Sequence, residues 1–164
     1  MIIKDAMVLI HLAKLSILEK SCDYFKKVLV PELVYDEIKS ENYPDSEIIK
    51  KIIATGKIKI KLVENKSLIK KANEFNIRDG EAQALALYWQ EKANLLATDD
   101  DNVRSKKELL EIKIIGTPSI ILKLYKEKRI DKEKLNASIE KLREIGWFSN
   151  ALLDSIILEV NKNE

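Results

Sequence analysis

Five short apolar runs, Met1 to Ile3, Val28 to Val30, Ile58 to Leu62, Leu95 to Ala97 and Ile112 to Ile115, alternate along this chain with longer stretches of helical periodicity. Parallel strands need long crossovers, and a crossover that repeats every 3.6 residues is a helix, so this alternation predicts a parallel sheet with helices on both faces. The periodic stretches predict helices starting near Met7, Glu32, Asp45, Lys66, Gly80, Asn102, Pro118, Lys132 and Ser149. All four glycines, Gly56, Gly80, Gly116 and Gly146, fall at junctions between these segments, as short connections within one compact unit require. Pro31 and Pro118 sit where first-turn prolines belong, and Thr117 is placed to cap the helix that Pro118 opens. The expected fold is a three-layer α/β/α arrangement around a central parallel sheet, formed by residues 1–164 as a single domain.

Composition narrows the class of function. Hydrophobic residues make up 46% of the 164, enough for a sizeable core. Lys and Arg number 29 against 27 Asp and Glu, so affinity for nucleic acid would have to come from local patches and not from a global field. The one cysteine, Cys22, excludes an internal disulfide framework, and no stretch reads as a signal peptide or membrane span. A cytoplasmic location is the expectation.

The run "LLATDDD", Leu95 to Asp101, carries an apolar strand straight into three adjacent acids. Three carboxylates in a row repel one another, and none enters a core unpaired. In an open parallel sheet the functional crevice lies beyond the carboxyl ends of the strands. Two acidic sites occupy such ends: Asp5, after "MII" and one lysine, and the Asp99 to Asp101 cluster. Helix capping is the alternative for each, because Asp at a helix start accepts backbone N–H bonds and suits the positive end of the dipole. Glu37 in "PELVYDEIKS" falls three residues after Val34 and four after Leu33, on the apolar face, whereas Glu32, Asp36 and Lys39 fall on the other. A carboxylate there requires a partner cation, a metal or a shared proton. Glu81 shares a stripe with Leu85, Tyr88 and Trp89; dipole pairing in the first turn, with Asp79 as the cap, is its alternative explanation. Read together, the four positions are more economically one carboxylate cluster that binds a cation. With no cysteine and no compelling histidine in the set, zinc and copper suit it poorly, and an all-oxygen site suits Mg²⁺ or Mn²⁺. His11, the only histidine, reads as a core-edge or helix-surface residue.

The segments "IIKDAMVLIHLAKL", "VLVPELVYDEI", "RDGEAQALALY", "LLATDDDNVR" and "IIGTPSIILKLYKEKRI", with the tail "LNASIEKLREIGWFSNALLDSIIL", resemble the PIN-domain nucleases in the same order, and most closely a VapC-like branch with "GEAxA" and "TDD" motifs. The resemblance covers essentially the whole chain and implies the PIN-like form of the three-layer fold. It implies an acid set of Asp5, Glu37, Glu81 and either Asp100, from the "T-x-D" pattern, or Asp99; Asp101 fits least. It also implies cleavage of single-stranded RNA with Mg²⁺ or Mn²⁺. For the toxin members of the family it implies an antitoxin protein and a homodimer partner. Ala6 and Met7 stand where many relatives carry a hydroxyl after the first Asp.

On that reading Asp5, Glu81 and Asp99 or Asp100 hold the metal directly or through water, and Glu37 is a ligand or orients water. Arg104, one turn beyond the acids, either contacts an RNA phosphate or pairs with Asp100 or Asp101 at helical spacing. Lys106 and Lys107 read as a solvated face, and Trp147 and Phe148 either stack bases or belong to a core junction. A PIN-like module that binds RNA or protein without turnover is the rival reading, and a complete acid set argues against it.

Overall fold

A computed structural model of the chain describes residues 1–40 and 44–162. Its strands are β1 (Ile2–Lys4), β2 (Val28–Pro31), β3 (Ile58–Lys61), β4 (Leu95–Ala97) and β5 (Ile114–Ile115). They form one five-stranded sheet in the order β3-β2-β1-β4-β5, with every neighbouring pair parallel. Helices α1 (Ala6–Lys14), α2 (Leu18–Phe25), α3 (Glu32–Ser40), α4 (Ser46–Ala54) and α5 (Lys66–Glu74) precede β4, with α6 (Asp79–Gln90) leading directly into it. Beyond it come α7 (Asp101–Ser105), α8 (Thr117–Lys126), α9 (Lys132–Ile145) and α10 (Asn150–Lys162). The chain is therefore α/β with helices on both faces of a central parallel sheet, consistent with a PIN-like fold.

Successive strand residues point to opposite faces, and both faces here are covered. Ile2, Val28, Val30, Ile58 and Ala97 pack into one core with Val8, Leu9 and Leu12 of α1, Ile120 and Leu124 of α8, and Leu153 of α10. Ile3, Leu29 and Leu96 pack into the other, with Ala72 of α5, Leu85 of α6 and Val103 of α7. β1, β2 and β4, buried on both faces, have almost no polar side to show and read in sequence as apolar runs, whereas the edge strand β3 alternates as IKIK with Lys59 and Lys61 exposed.

Several local expectations are corrected. The stretch from Met7 is not one helix, because Ser16 takes a left-handed φ of 58° and separates α1 from α2. Pro31 ends β2, opposite Lys61, and does not open α3. Gly116, not Thr117, caps α8, and Arg78, not Asp79, caps α6. Leu33 is exposed, so the buried side of α3 is defined by Val34 and Ile38. Lys4 is fully buried on the α2 side, where its ammonium donates to the Ser21 hydroxyl and lies 5.4 Å from the centre of the Phe25 ring. Burial pushes its amine down to about 8, against a smaller upward pull from Cys22.

Candidate active site

From β1 the chain builds β2 and β3 outward on one side, then crosses to lay down β4 and β5 on the other. The direction of building reverses between β1 and β4, and the crevice at the carboxyl ends of such a pair is where open α/β sheets bind ligands. Register brings the acids there. Ile3 lies opposite Leu96 and Lys4 opposite Ala97, and the next N–H, that of Asp5, donates to the Ala97 carbonyl at 3.1 Å. Asp5 thus enters the crevice beside the Thr98 to Asp100 turn.

Asp5 is 3% exposed. One carboxylate oxygen caps α1 by accepting the Val8 N–H at 3.0 Å. The other, Oδ2, is buried and makes no hydrogen bond among the described residues. Capping is real, then, but it uses half of the carboxylate. Burial drives the Asp5 carboxyl up to about 7; the Thr98 side chain and the Val8 N–H pull it down, and the charges of Asp99 and Glu81 push it further up. Glu81, half-buried in the first turn of α6, is also pushed up, by burial first and then by the charges of Asp100 and Asp79, with its own backbone N–H opposing. Asp100 caps α7 by accepting the Val103 N–H at 2.9 Å, while its own N–H donates to the Thr98 hydroxyl at 3.1 Å. Asp100 and Glu81 line one cleft of about 300 Å³ with Arg78, Asp79 and Asn102.

Glu37 reaches the same end of the molecule from α3. A Cβ on Gly80 would fall 2.8 Å from Glu37 Oε2 and 3.3 Å from Oε1. Glycine at position 80 is thus what lets the Glu37 carboxylate lie against the first turn of α6, one residue before Glu81.

Asp99 is placed differently. It is 1% exposed, and its carboxylate accepts from His11 Nδ1 at 2.8 Å, from the Thr117 N–H at 2.7 Å and from the Thr117 hydroxyl. The Trp147 indole N–H donates to its backbone carbonyl at 3.0 Å. The carboxylate therefore ties β4 to α1 and to the start of α8. His11 is not at a core edge: it is 1% exposed, it faces Trp147 and Phe148, and its Nε2 is buried without a partner among the described residues. Arg104 makes no ion pair with Asp100 or Asp101; its guanidinium donates to the Thr98 carbonyl at 3.3 Å. Asp101 is exposed. Lys106 is not simply solvated, since its ammonium donates to the Phe75 carbonyl at 2.6 Å.

The donor set suits a hard divalent cation in part. A buried, unpartnered carboxylate oxygen, held among other acids with all-oxygen chemistry, fits one. No three His, Cys, Asp or Glu side chains among the described residues are gathered closely enough to enclose an ion. One or two carboxylates with water completing the shell is the mode these residues fit, and it is how Mg²⁺ is commonly held. The sequence reading passed over Arg78, beside Glu81 in the cleft, and the His11 and Thr117 contacts to Asp99. Arg78 stood inside the "RDGEA" segment; the other two had no signal at short range.

Residues 1–162 match the family model described as DUF3368, a PIN domain. No curated protein and no solved structure matches the chain.

The raised carboxyl of Asp5 gives stability a definite pH dependence. An unfolded Asp loses its proton near 3.8, whereas Asp5 in the fold keeps it to about 7. Between those values the folded state binds more protons, so stability falls as pH rises through that window. Above it the penalty is on the order of 4 kcal/mol. Asn caps a helix as well as Asp does, so Asp5→Asn should melt higher than the wild type at pH 8 in chelator and lose the decline between pH 4 and 7. A variant that melts lower at pH 8 would mean that the charge has a structural partner.

Proposed function

Because the chain belongs to the PIN-domain family, whose members are nuclease-type modules that bind nucleic acid and typically use divalent metal ions, we propose that it is an endoribonuclease that cleaves single-stranded RNA with Mg²⁺ or Mn²⁺. The observation that carries the reading is Asp5 Oδ2, buried without a hydrogen bond among the described residues, with the like charges of Asp99 and Glu81 acting on its carboxyl and Asp100 acting on that of Glu81. These acids would hold a divalent ion, which when bound would supply a lowered pKa for water and stabilisation of charge on the phosphate.

Asp5, Glu81 and Asp100 are the residues we assign to the ion, directly or through water. Asp100 is preferred to Asp99 because the Asp99 carboxylate already accepts three protein hydrogen bonds. Glu37, held over Gly80, orients the water or accepts its proton. Arg78 offers a cation to the RNA phosphate from the Glu81 side of the cleft. The wide spacing of the acids favours a second reading, a PIN-like module that binds RNA without cutting it. Turnover separates the two.

The cellular role we propose on the resemblance is the toxin half of a toxin–antitoxin pair, acting in the cytoplasm as a homodimer with an antitoxin protein as partner. Growth arrest on expression, relieved by the product of an adjoining reading frame, would support it; unimpaired growth with active enzyme would contradict it.

Labelled RNA pools incubated with Mg²⁺, with Mn²⁺ and with chelator should be cut only when the metal is present. Glu37→Gln removes the inner-face charge at constant size and should lower cleavage by about 10- to 100-fold. Asp36→Asn, which alters an exposed residue paired with Lys39, should leave it unchanged. Cutting that survives thorough chelation, or equal loss in both variants, would sink the mechanism.

A further inference from the structure

On the far side of the Asp99 to Asp101 turn from the Glu81 cleft lies a second, smaller pocket of about 170 Å³, bounded by Arg104, Gly116, Ser119, Trp147 and Ser149. We propose that it is a nucleobase subsite, which seats one base of the RNA strand beside the cleaved phosphate and gives cleavage a base preference. The proposal rests on the ribonuclease reading above and adds the element of substrate that the acids themselves do not read.

The pocket is smaller than the roughly 300 Å³ at which sites for drug-sized ligands begin, so its occupant has the size of one ring system. One wall is Trp147. It is 46% exposed, although its indole N–H is tied to the Asp99 carbonyl at 3.0 Å. A tryptophan that only covered His11 would gain by burying its faces. This one is fixed in orientation with much of its surface bare, as a stacking platform for a base requires. Another wall is Arg104. Its guanidinium donates to the Thr98 carbonyl at 3.3 Å and has no acidic partner among the described residues, despite two aspartates at helical spacing. It lies so close to the Gly116 backbone that a Cβ there would come within 2.5 Å of Nη1. A planar cation held this way stacks on a base or donates to its edge. The exposed hydroxyls of Ser119 and Ser149 offer further hydrogen bonds to an edge.

Position supplies the rest of the argument. Asp99 lines this pocket, and the next residue, Asp100, lines the Glu81 cleft. A nucleotide whose phosphate meets the acids therefore has its own or an adjacent base within reach of Trp147. A base stacked here is sequence-tolerant through its face and selective through its edge.

Trp89 is the only other tryptophan, so Trp89→Phe leaves Trp147 as the sole indole reporter. In chelator, where no cutting occurs, short single-stranded oligonucleotides of each base should quench its fluorescence, and an abasic strand of equal length should not. Trp147→Leu should bind those oligonucleotides about tenfold more weakly, and at subsaturating RNA it should cut more slowly with a flattened base preference at the cleaved position. Trp147→Phe should restore much of the preference. Equal quenching by abasic and base-bearing strands, or an unchanged base preference in Trp147→Leu, would overturn the subsite while leaving the nuclease reading intact. If the wild type does not cut RNA at all, the nuclease reading falls, and the comparison of abasic with base-bearing strands still decides whether the pocket binds a base.

Discussion

The pairing of β1 with β4, Ile3 opposite Leu96 and Lys4 opposite Ala97, is the constraint on which the acid crevice depends. Side chains alternate between faces along a strand, so this register decides which acid goes where. Asp5 follows the parity of Ile3 and turns toward the α6 side, where Glu81 begins a helix. Asp99 follows the parity of Ala97 and turns toward α1 and α8, where His11 and Thr117 meet it. Asp100 comes back to the α6 side and shares the Glu81 cleft. A slip of one residue in this pair would exchange the two faces, sending Asp5 to the His11 side and away from Glu81.

Two kinds of buried acid result, and the difference lies in their donors. The Asp99 carboxylate accepts N–H and O–H bonds from two elements, α1 and α8, and its burial is compensated. Asp5 is buried, with the Val8 N–H on one oxygen and the Thr98 side chain opposing only in part, and the charges beside it are of its own sign, so burial first and those charges second hold its proton up to about 7. Such an arrangement weakens the fold without a cation and gives a cation a reason to bind there. The close fit of Glu37 over Gly80, and of Arg104 over Gly116, shows glycine used at this end for approach by a side chain. Neither position requires a left-handed backbone; at both, a Cβ would displace a functional group.

Much of this was legible in the sequence. The central strands stood out as apolar runs because both their faces are covered, the edge strand β3 as an alternating IKIK with its lysines exposed, and the acids at strand ends were visible because strand ends are where an apolar run stops. Glu37 was legible as an acid out of place on an apolar face, although Leu33, counted on that face, is exposed. The break between α1 and α2 was not legible, since it rests on Ser16 at a φ of 58° with no glycine or proline to mark it. The division of labour between Asp99 and Asp100 was not legible either. It depends on His11, 88 residues away from Asp99 in sequence, and on Thr117, whose hydroxyl reads locally as a helix cap and in the fold reaches across to β4. Trp147 looked like a core junction because its neighbours do pack inward; its exposure is a property of the turn between α9 and α10.

The most direct test of the account is anomalous diffraction from crystals soaked in Mn²⁺. The account predicts a manganese peak at the carboxyl ends of β1 and β4, with Asp5 Oδ2 among its ligands, Glu81 and Asp100 facing it directly or through water, and the Asp99 carboxylate still bonded to His11 and Thr117. Manganese found only elsewhere, or an Asp5 Oδ2 engaged by a lysine or arginine with no metal in the crevice, would contradict it.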